Sequence, residues 1–232
     1  MLELSDVHTY YGLVHMLHGI SLRVAEGEVL AILGRNGAGK TTVLKTVIGL
    51  VPPRRGRVVF QGHDLAGLPP HAIARRGIAY VPASRGIFSA LTAWENLAVV
   101  QRRGARWDAA QVFARFPRLA ALRDRRGRVL SGGEQQMLAI GRALVTGPSL
   151  ILLDEPSQGL APMVVEAVLG MLRELKGEGM GMVLVEQNVP MALGLADRVL
   201  ILDQGTLVFE GSPRAVADDE GGVTTRFLGV GV

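Results

Sequence analysis

The chain has 232 residues, 48% of them hydrophobic, with no cysteine and a net charge of +4. That length and apolar content suit one α/β domain with a sizeable core, and the missing thiols exclude disulfides and thiol–metal sites and remove any argument for an oxidising compartment. The apolar runs Met137 to Leu153 and Gly159 to Leu172 are broken by Arg142 and Glu166, short of the roughly 18 uncharged residues of a membrane span, and no signal peptide opens the chain, so a cytoplasmic location is expected.

In chain order, Leu2 to Val7, Ile20 to Val24 and Arg57 to Phe60 read as strands of a small antiparallel layer, and Tyr10-Tyr11-Gly12 places two aromatic rings near the first of them. Val29-Leu30-Ala31-Ile32-Leu33 is the short apolar run of a buried parallel strand. It leads into Gly34-Arg35-Asn36-Gly37-Ala38-Gly39-Lys40-Thr41, a complete P-loop. The glycines let backbone amides wrap a polyphosphate without Cβ clashes, and a helix from Lys40 to about Gly49 turns its positive end toward the same anion. Lys40 is predicted to reach the terminal phosphates and Thr41 to ligate Mg²⁺, with Thr42 the next hydroxyl in reach. Gly34, Asn36, Gly37, Ala38, Gly39, Lys40, Thr41 and Thr42 are therefore the candidate phosphate-binding residues. A glycine turn before an ordinary helix is the bland alternative, and it explains neither the full spacing nor the strand-to-helix context.

Beyond a strand at Ile78 to Val81 the composition shifts. About Ser84 to Val129 is Arg-rich and helical in character, broken by Gly104 and Pro117 into several short helices. Its arginines, from Arg102 to Arg128, could face nucleic acid or an anionic membrane surface. They lack interleaved aromatics for base stacking, so a solvated helical face is expected and a nucleic-acid partner is not. In Leu130-Ser131-Gly132-Gly133-Glu134-Gln135, Ser131 and Glu134 form a capping box that opens a helix over Gln135 to about Val145. Gly132 and Gly133 are poor helix formers, expected where something must approach the backbone closely, so Ser131, Gly132 and Gly133 are a second set of phosphate-facing candidates.

Ser149 to Leu153 is an apolar strand that delivers Asp154 and Glu155 at its carboxyl end, where open α/β sheets bind ligands. Asp154 is the candidate Mg²⁺ partner. Glu155 is placed to polarise a water in line with a γ-phosphate, as general base. A solvated strand end is the alternative for an acidic pair, and the P-loop weighs against it. Val183-Leu184-Val185 is a further strand, ahead of Gln187, and Val199 to Phe209 reads as a hairpin turning at Asp203-Gln204-Gly205. Strands alternating with helices imply a largely parallel sheet.

With these motifs in place, the chain resembles the ATP-binding subunit of ABC transporters over essentially its whole length. The resemblance implies an α/β cassette: a P-loop NTPase core of mainly parallel sheet, a small antiparallel β layer and an inserted helical subdomain. Residues 1–83 and 146–232 would form the core and β layer, and residues 84–145 the helical subdomain with the signature motif. In that family the signature loop of one subunit caps the γ-phosphate held by the P-loop of the other. It thus implies a head-to-tail dimer, homomeric or with a second ABC ATPase subunit, holding two ATP with Mg²⁺, and Tyr11 matches the aromatic that stacks on adenine, with Tyr10 as competitor. It also implies transmembrane permease subunits as partners, a periplasmic substrate-binding protein indirectly, and a peripheral place on the cytoplasmic face of the membrane. Ile87, Phe88 and Trp94 are candidate contacts for a permease coupling helix, although such apolar residues are more often core.

Gly77-Ile78-Ala79-Tyr80-Val81-Pro82, Leu91-Thr92-Ala93-Trp94-Glu95-Asn96-Leu97, Asp154-Glu155-Pro156-Ser157-Gln158-Gly159-Leu160-Ala161-Pro162 and Val185-Glu186-Gln187-Asn188 together are similar to the LivF-type subunit of branched-chain amino acid importers. Gln187 stands where most of the wider family has a γ-phosphate-sensing His; it can donate a hydrogen bond but cannot carry a proton as imidazolium. Ala83 replaces the Gln or Glu usual after Val81-Pro82, so weaker hydrolysis or weaker coupling is expected. An importer for urea or short amides, a non-transport ABC ATPase acting on DNA or ribosomes, and a nucleotide-gated switch with little turnover are the alternatives.

Overall fold

Alternating and continuous apolar runs sort into two sheets. In the computed structural model, which describes residues 1–218, 222 and 224–228, β1 (Leu2–Tyr11) and β2 (Val14–Val24) form an antiparallel hairpin. Residues 219–221, 223 and 229–232 of the expected core segment lie outside the described residues. Leu2 and Leu4 point inward, as do Val7 and Thr9. The inward alternation slips by one at Asp6, whose φ is +49°, and the ladder register shifts there, as a β-bulge requires.

β3 (Val29–Leu33) follows, then α1 (Lys40–Val47). β4 (Arg55–Phe60) and β5 (His63–Asp64) complete the first sheet in the order β2-β1-β4-β5. α2 (Pro70–Arg75) leads to β6 (Ile78–Val81). The Arg-rich stretch then forms α3 (Ala93–Ala98), α4 (Ala109–Arg115) and α5 (Pro117–Ala120), with Pro117 opening the last of these. α6 (Gly132–Leu144) is longer than expected: Ser131 is its N-cap, both bonds of the capping box are present, and Gly132 and Gly133 lie inside the helix instead of ahead of it.

β7 (Leu150–Asp154), α7 (Pro162–Gly177), β8 (Gly181–Glu186), α8 (Val189–Leu193), β9 (Arg198–Asp203), β10 (Thr206–Gly211) and α9 (Pro213–Ala217) follow. The second sheet runs β10-β9-β3-β8-β7-β6, parallel except for the β10 edge. Every residue of β3, β7 and β8 is buried, which explains their unbroken hydrophobicity. Successive residues feed opposite faces: Leu30 and Ile32 pack with Val43, Leu44 and the antiparallel layer, whereas Ala31 and Leu33 pack with helices α6 and α7.

The arginines of the helical stretch are largely engaged. Arg106 pairs with Glu178 at 3.1 Å, Arg125 with Glu134 at 3.4 Å, and Arg123 lies 4.3 Å over the Trp94 ring. Among the described residues, no helix is long and apolar enough to cross a membrane. The strand order has one consequence for chemistry: β3, β8 and β7 are neighbours, so their carboxyl ends, carrying the P-loop, Gln187 and Asp154-Glu155, open on one edge.

Candidate functional site

The P-loop is shaped by what crowds it. Gly34 has φ +154°, and a Cβ there would lie 2.3 Å from the Leu202 carbonyl oxygen, so β9 excludes any side chain at this position. Gly37 has open space around it but φ +81°, a conformation that costs an L-residue energy. The amide of Gly205, in the β9–β10 turn, donates to the Ala38 carbonyl at 2.9 Å and ties the loop to the hairpin.

Lys40 is buried, and its Nζ donates to the carbonyls of Gly34 at 2.9 Å and Arg35 at 3.2 Å. The same nitrogen lies 3.6 Å from Glu155 Oε1. Burial lowers its pKa below the ordinary lysine value, and the Glu155 carboxylate opposes that shift. Thr42, also candidate, is buried on the first turn of α1.

Asp154 is 2% exposed and takes two hydroxyl donors: Thr41 Oγ1 at 2.7 Å on Oδ1 and Tyr80 Oη at 2.9 Å on Oδ2. Burial first, then the Asp154 carboxylate, push the Tyr80 phenol pKa upward. Thr41 and Asp154 thus converge as two hard oxygen donors, which suits Mg²⁺, an ion that keeps several waters and takes further ligands from phosphate. Among the described residues no cluster of three or more His, Asp or Glu could hold a metal unaided.

Glu155 has φ +47°, rare for a residue with a Cβ and characteristic of positions held in place by their surroundings. Its amide donates to the Val185 carbonyl at 2.8 Å, and its Oε1 accepts from Gln187 Nε2 at 2.8 Å. Gln187 Nε2 also donates to Asn36 Oδ1, closing a link from P-loop to strand end. The structure therefore brings Asn36, Lys40, Thr41, Asp154, Glu155 and Gln187 together.

Ser131, Gly132 and Gly133 stand apart. Among the described residues, no hydrogen bond or ion pair joins them to the P-loop; Ser131 is exposed and its amide and hydroxyl are engaged with Glu134. The glycines have local reasons as well. A Cβ on Gly133 would lie 1.8 Å from Val164 Cγ1, and one on Gly132 would lie 3.2 Å from the Arg85 guanidinium. The close approach expected from the sequence is thus made in part by this chain's own α7.

Tyr10 stacks on His15 with centroids 4.1 Å apart and has the Arg54 guanidinium 4.5 Å from its centroid, whereas Tyr11 is 41% exposed. Of the apolar contact candidates, Phe88 is 44% exposed and lines a groove of about 460 Å³ with Leu50, His71, Tyr80 and Arg142. Ile87 and Trp94 pack against the core instead, Trp94 stacking on Phe113.

Three residues have roles here that no local sequence pattern signals. Tyr80 is the second hydroxyl on Asp154. Glu186 is buried, and its carboxylate accepts from the amides of Ser157 at 2.8 Å, Gln187 at 3.0 Å and Asn188 at 3.1 Å, which holds the segment after Glu155 against the end of β8. Arg85 is the third. The Glu-Gln-Asn triplet pointed to the neighbourhood of Glu186, but nothing local marks the carboxylate as a backbone clamp.

The protein family described as ABC transporter matches residues 17–158. The high-affinity branched-chain amino acid transport ATP-binding protein BraG of Pseudomonas aeruginosa is 43% identical over 220 residues, covering 93% of this chain and 94% of that one. The lipopolysaccharide export system ATP-binding protein LptB of Escherichia coli K12 is 38% identical over 211 residues, 88% of each chain. Among solved structures, a dimeric ATP-binding cassette in a post-hydrolysis state with ADP and Pi superposes with a TM-score of 0.81 at 26% identity, covering 92% of this chain and 99% of that one. The ADP conformation of another ABC transporter cassette gives 0.80 at 27% identity and covers 95% of each chain.

Proposed function

The chain belongs to the ABC transporter family as an ATP-binding subunit whose ATPase activity powers transport, and on that footing we propose that it drives import of branched-chain amino acids from the cytoplasmic face of a membrane. The observation that carries the catalytic reading is the convergence of Lys40, Thr41, Asp154, Glu155 and Gln187 at the carboxyl ends of three adjacent strands. The importer reading is supported by the 43% identity to BraG along nearly its full length.

In this reading the P-loop amides and the α1 N-terminus hold the triphosphate, and Lys40 exchanges its loop-carbonyl partners for the terminal phosphates. Thr41 and Asp154 would hold Mg²⁺, which neutralises phosphate charge when bound. Glu155 accepts a proton from the attacking water, with Gln187 and Asn36 fixing its carboxylate. Tyr11 is the adenine platform, since Tyr10 is already stacked. The exposed Ser131, with Gly132 and Gly133, serves the nucleotide of a second cassette, identical or a sister subunit, so each pocket is complete only in a dimer. Permease subunits dock at the Phe88 groove and carry the substrate path.

Glu155→Gln tests the chemistry: ATP binding is retained while turnover falls by about 100-fold or more, the usual weight of a general base. Hydrolysis at the parental rate rejects Glu155 in that role. The 38% identity to LptB supports a second reading, an exporter of amphiphiles. Stimulation of ATPase in proteoliposomes by leucine with its receptor, or by lipopolysaccharide, separates the two.

A further inference from the structure

Outside the assigned set, Arg85 combines a constrained backbone with an unusual side-chain placement. Its backbone has φ +63°, a left-handed conformation uncommon for a residue with a Cβ. The turn is held from both sides: the Arg85 amide donates to the Pro82 carbonyl at 2.8 Å, and Arg142 of α6 donates to the Arg85 carbonyl at 3.3 Å. This conformation sends the side chain to the N-terminus of α6. There Nη1 approaches Gln135 Oε1 at 3.5 Å, the guanidinium lies beside Gly132, and Nη2 approaches the Gln158 carbonyl at 3.5 Å. Nε is buried without a partner.

Two features of this arrangement need an explanation. A cation at the positive end of a helix is electrostatically unfavourable, and a buried guanidinium nitrogen without an acceptor costs more. Packing alone would be served by an uncharged side chain. What the guanidinium does provide is a planar fork that reaches two elements together, the start of the signature helix and the turn after β7. That turn is one hydrogen bond long: the Gln158 amide donates to the Glu155 carbonyl at 3.0 Å. Arg85, two residues after the position where Ala83 offers only a methyl group, therefore reaches to 3.5 Å from the far end of the turn whose near end is Glu155.

We propose that Arg85 is a positioning residue for hydrolysis, which ties the Glu155–Gln158 turn to the N-terminus of α6 so that the carboxylate of Glu155 and the Ser131-Gly132-Gly133 surface keep a fixed relation. The inference rests on Glu155 being the base. The fork, rather than the charge, is the working part, because its two acceptors lie on different elements.

Arg85→Ala and Arg85→Lys in the full chain test it, with Glu155→Gln as control. Arg85→Ala lowers kcat about tenfold while KM for ATP stays within about twofold, as loss of positioning does. Arg85→Lys, a point donor without the fork, recovers only a minor part of the loss. In hydrogen exchange, Arg85→Ala speeds the hydrogen-bonded amides of Glu155, Ser157, Gln158 and Leu160 and of Glu134 and Gln135 by about tenfold, with the rest of the chain and the thermal midpoint unchanged. Unchanged exchange and kcat overturn the proposal. So does full recovery by lysine, or a global loss of protection and ATP binding, which marks Arg85 as structural. Parental turnover by Glu155→Gln removes the base assignment separately, whatever Arg85 variants do.

Discussion

Asp154 accepts hydrogen bonds from the hydroxyls of Thr41 and Tyr80, but the two donors differ in whether they can be released to another partner. Thr41 is the residue expected to turn its oxygen to a cation, which leaves Tyr80 as the lasting partner. Tyr80→Phe keeps the ring and removes one bond to a charged acceptor, a loss of about 1–2 kcal/mol read from the denaturant midpoint. The pH dependence has a definite sign. Burial first, then the Asp154 carboxylate, raise the folded-state phenol pKa above its ordinary 10.0, so the stability held in the neutral phenol is complete below that value and is lost as pH rises beyond it, where the unfolded chain ionises and the folded chain does not. Above about pH 10 the parent therefore loses more stability than Tyr80→Phe, and parallel slopes reject the raised phenol pKa.

At the scale of elements, α6 begins with residues that helix propensity disfavours. Gly133→Ala would by propensity alone stabilise the helix by about 1 kcal/mol. The contact with α7 decides otherwise, because the new Cβ would lie 1.8 Å from Val164 Cγ1 and the valine side chain or its helix must shift. Overpacking of this kind costs about 1–3 kcal/mol. Gly133→Ala is expected to lower the thermal midpoint and Gly133→Ala with Val164→Ala to restore most of it. A Gly133→Ala variant as stable as the parent would instead place the need for glycine outside the chain, at the approaching phosphate.

For the whole molecule, the separation of Ser131 from the P-loop makes a composite site testable by mixing. Lys40→Ala abolishes phosphate handling and Ser131→Arg blocks the exposed N-cap at a local cost of about 1 kcal/mol. Neither variant should hydrolyse ATP alone. A mixture regains roughly a quarter of parental activity, since about half of the dimers are mixed and each holds one intact pocket. A mixture as inactive as its components would reject shared pockets between copies of this chain.

What the amino-acid sequence determined alone is whatever lies within one turn of chain. The P-loop glycines, Lys40 and Thr41, the Ser131–Glu134 capping box, the Asp154-Glu155 strand end and the β9–β10 hairpin all follow from neighbours a few residues apart, through backbone conformation and local hydrogen bonds. Tyr80 meets Asp154 across 74 residues and Arg85 meets Gln158 across 73, and no local pattern announces either. Those meetings depend on the strand order, which sets β6, β7, β8 and β3 side by side although they are scattered along the chain. Only the assembled sheet decided which side chains share a hydrogen bond, because burial selects long-range partners by shape and charge after the local elements have formed.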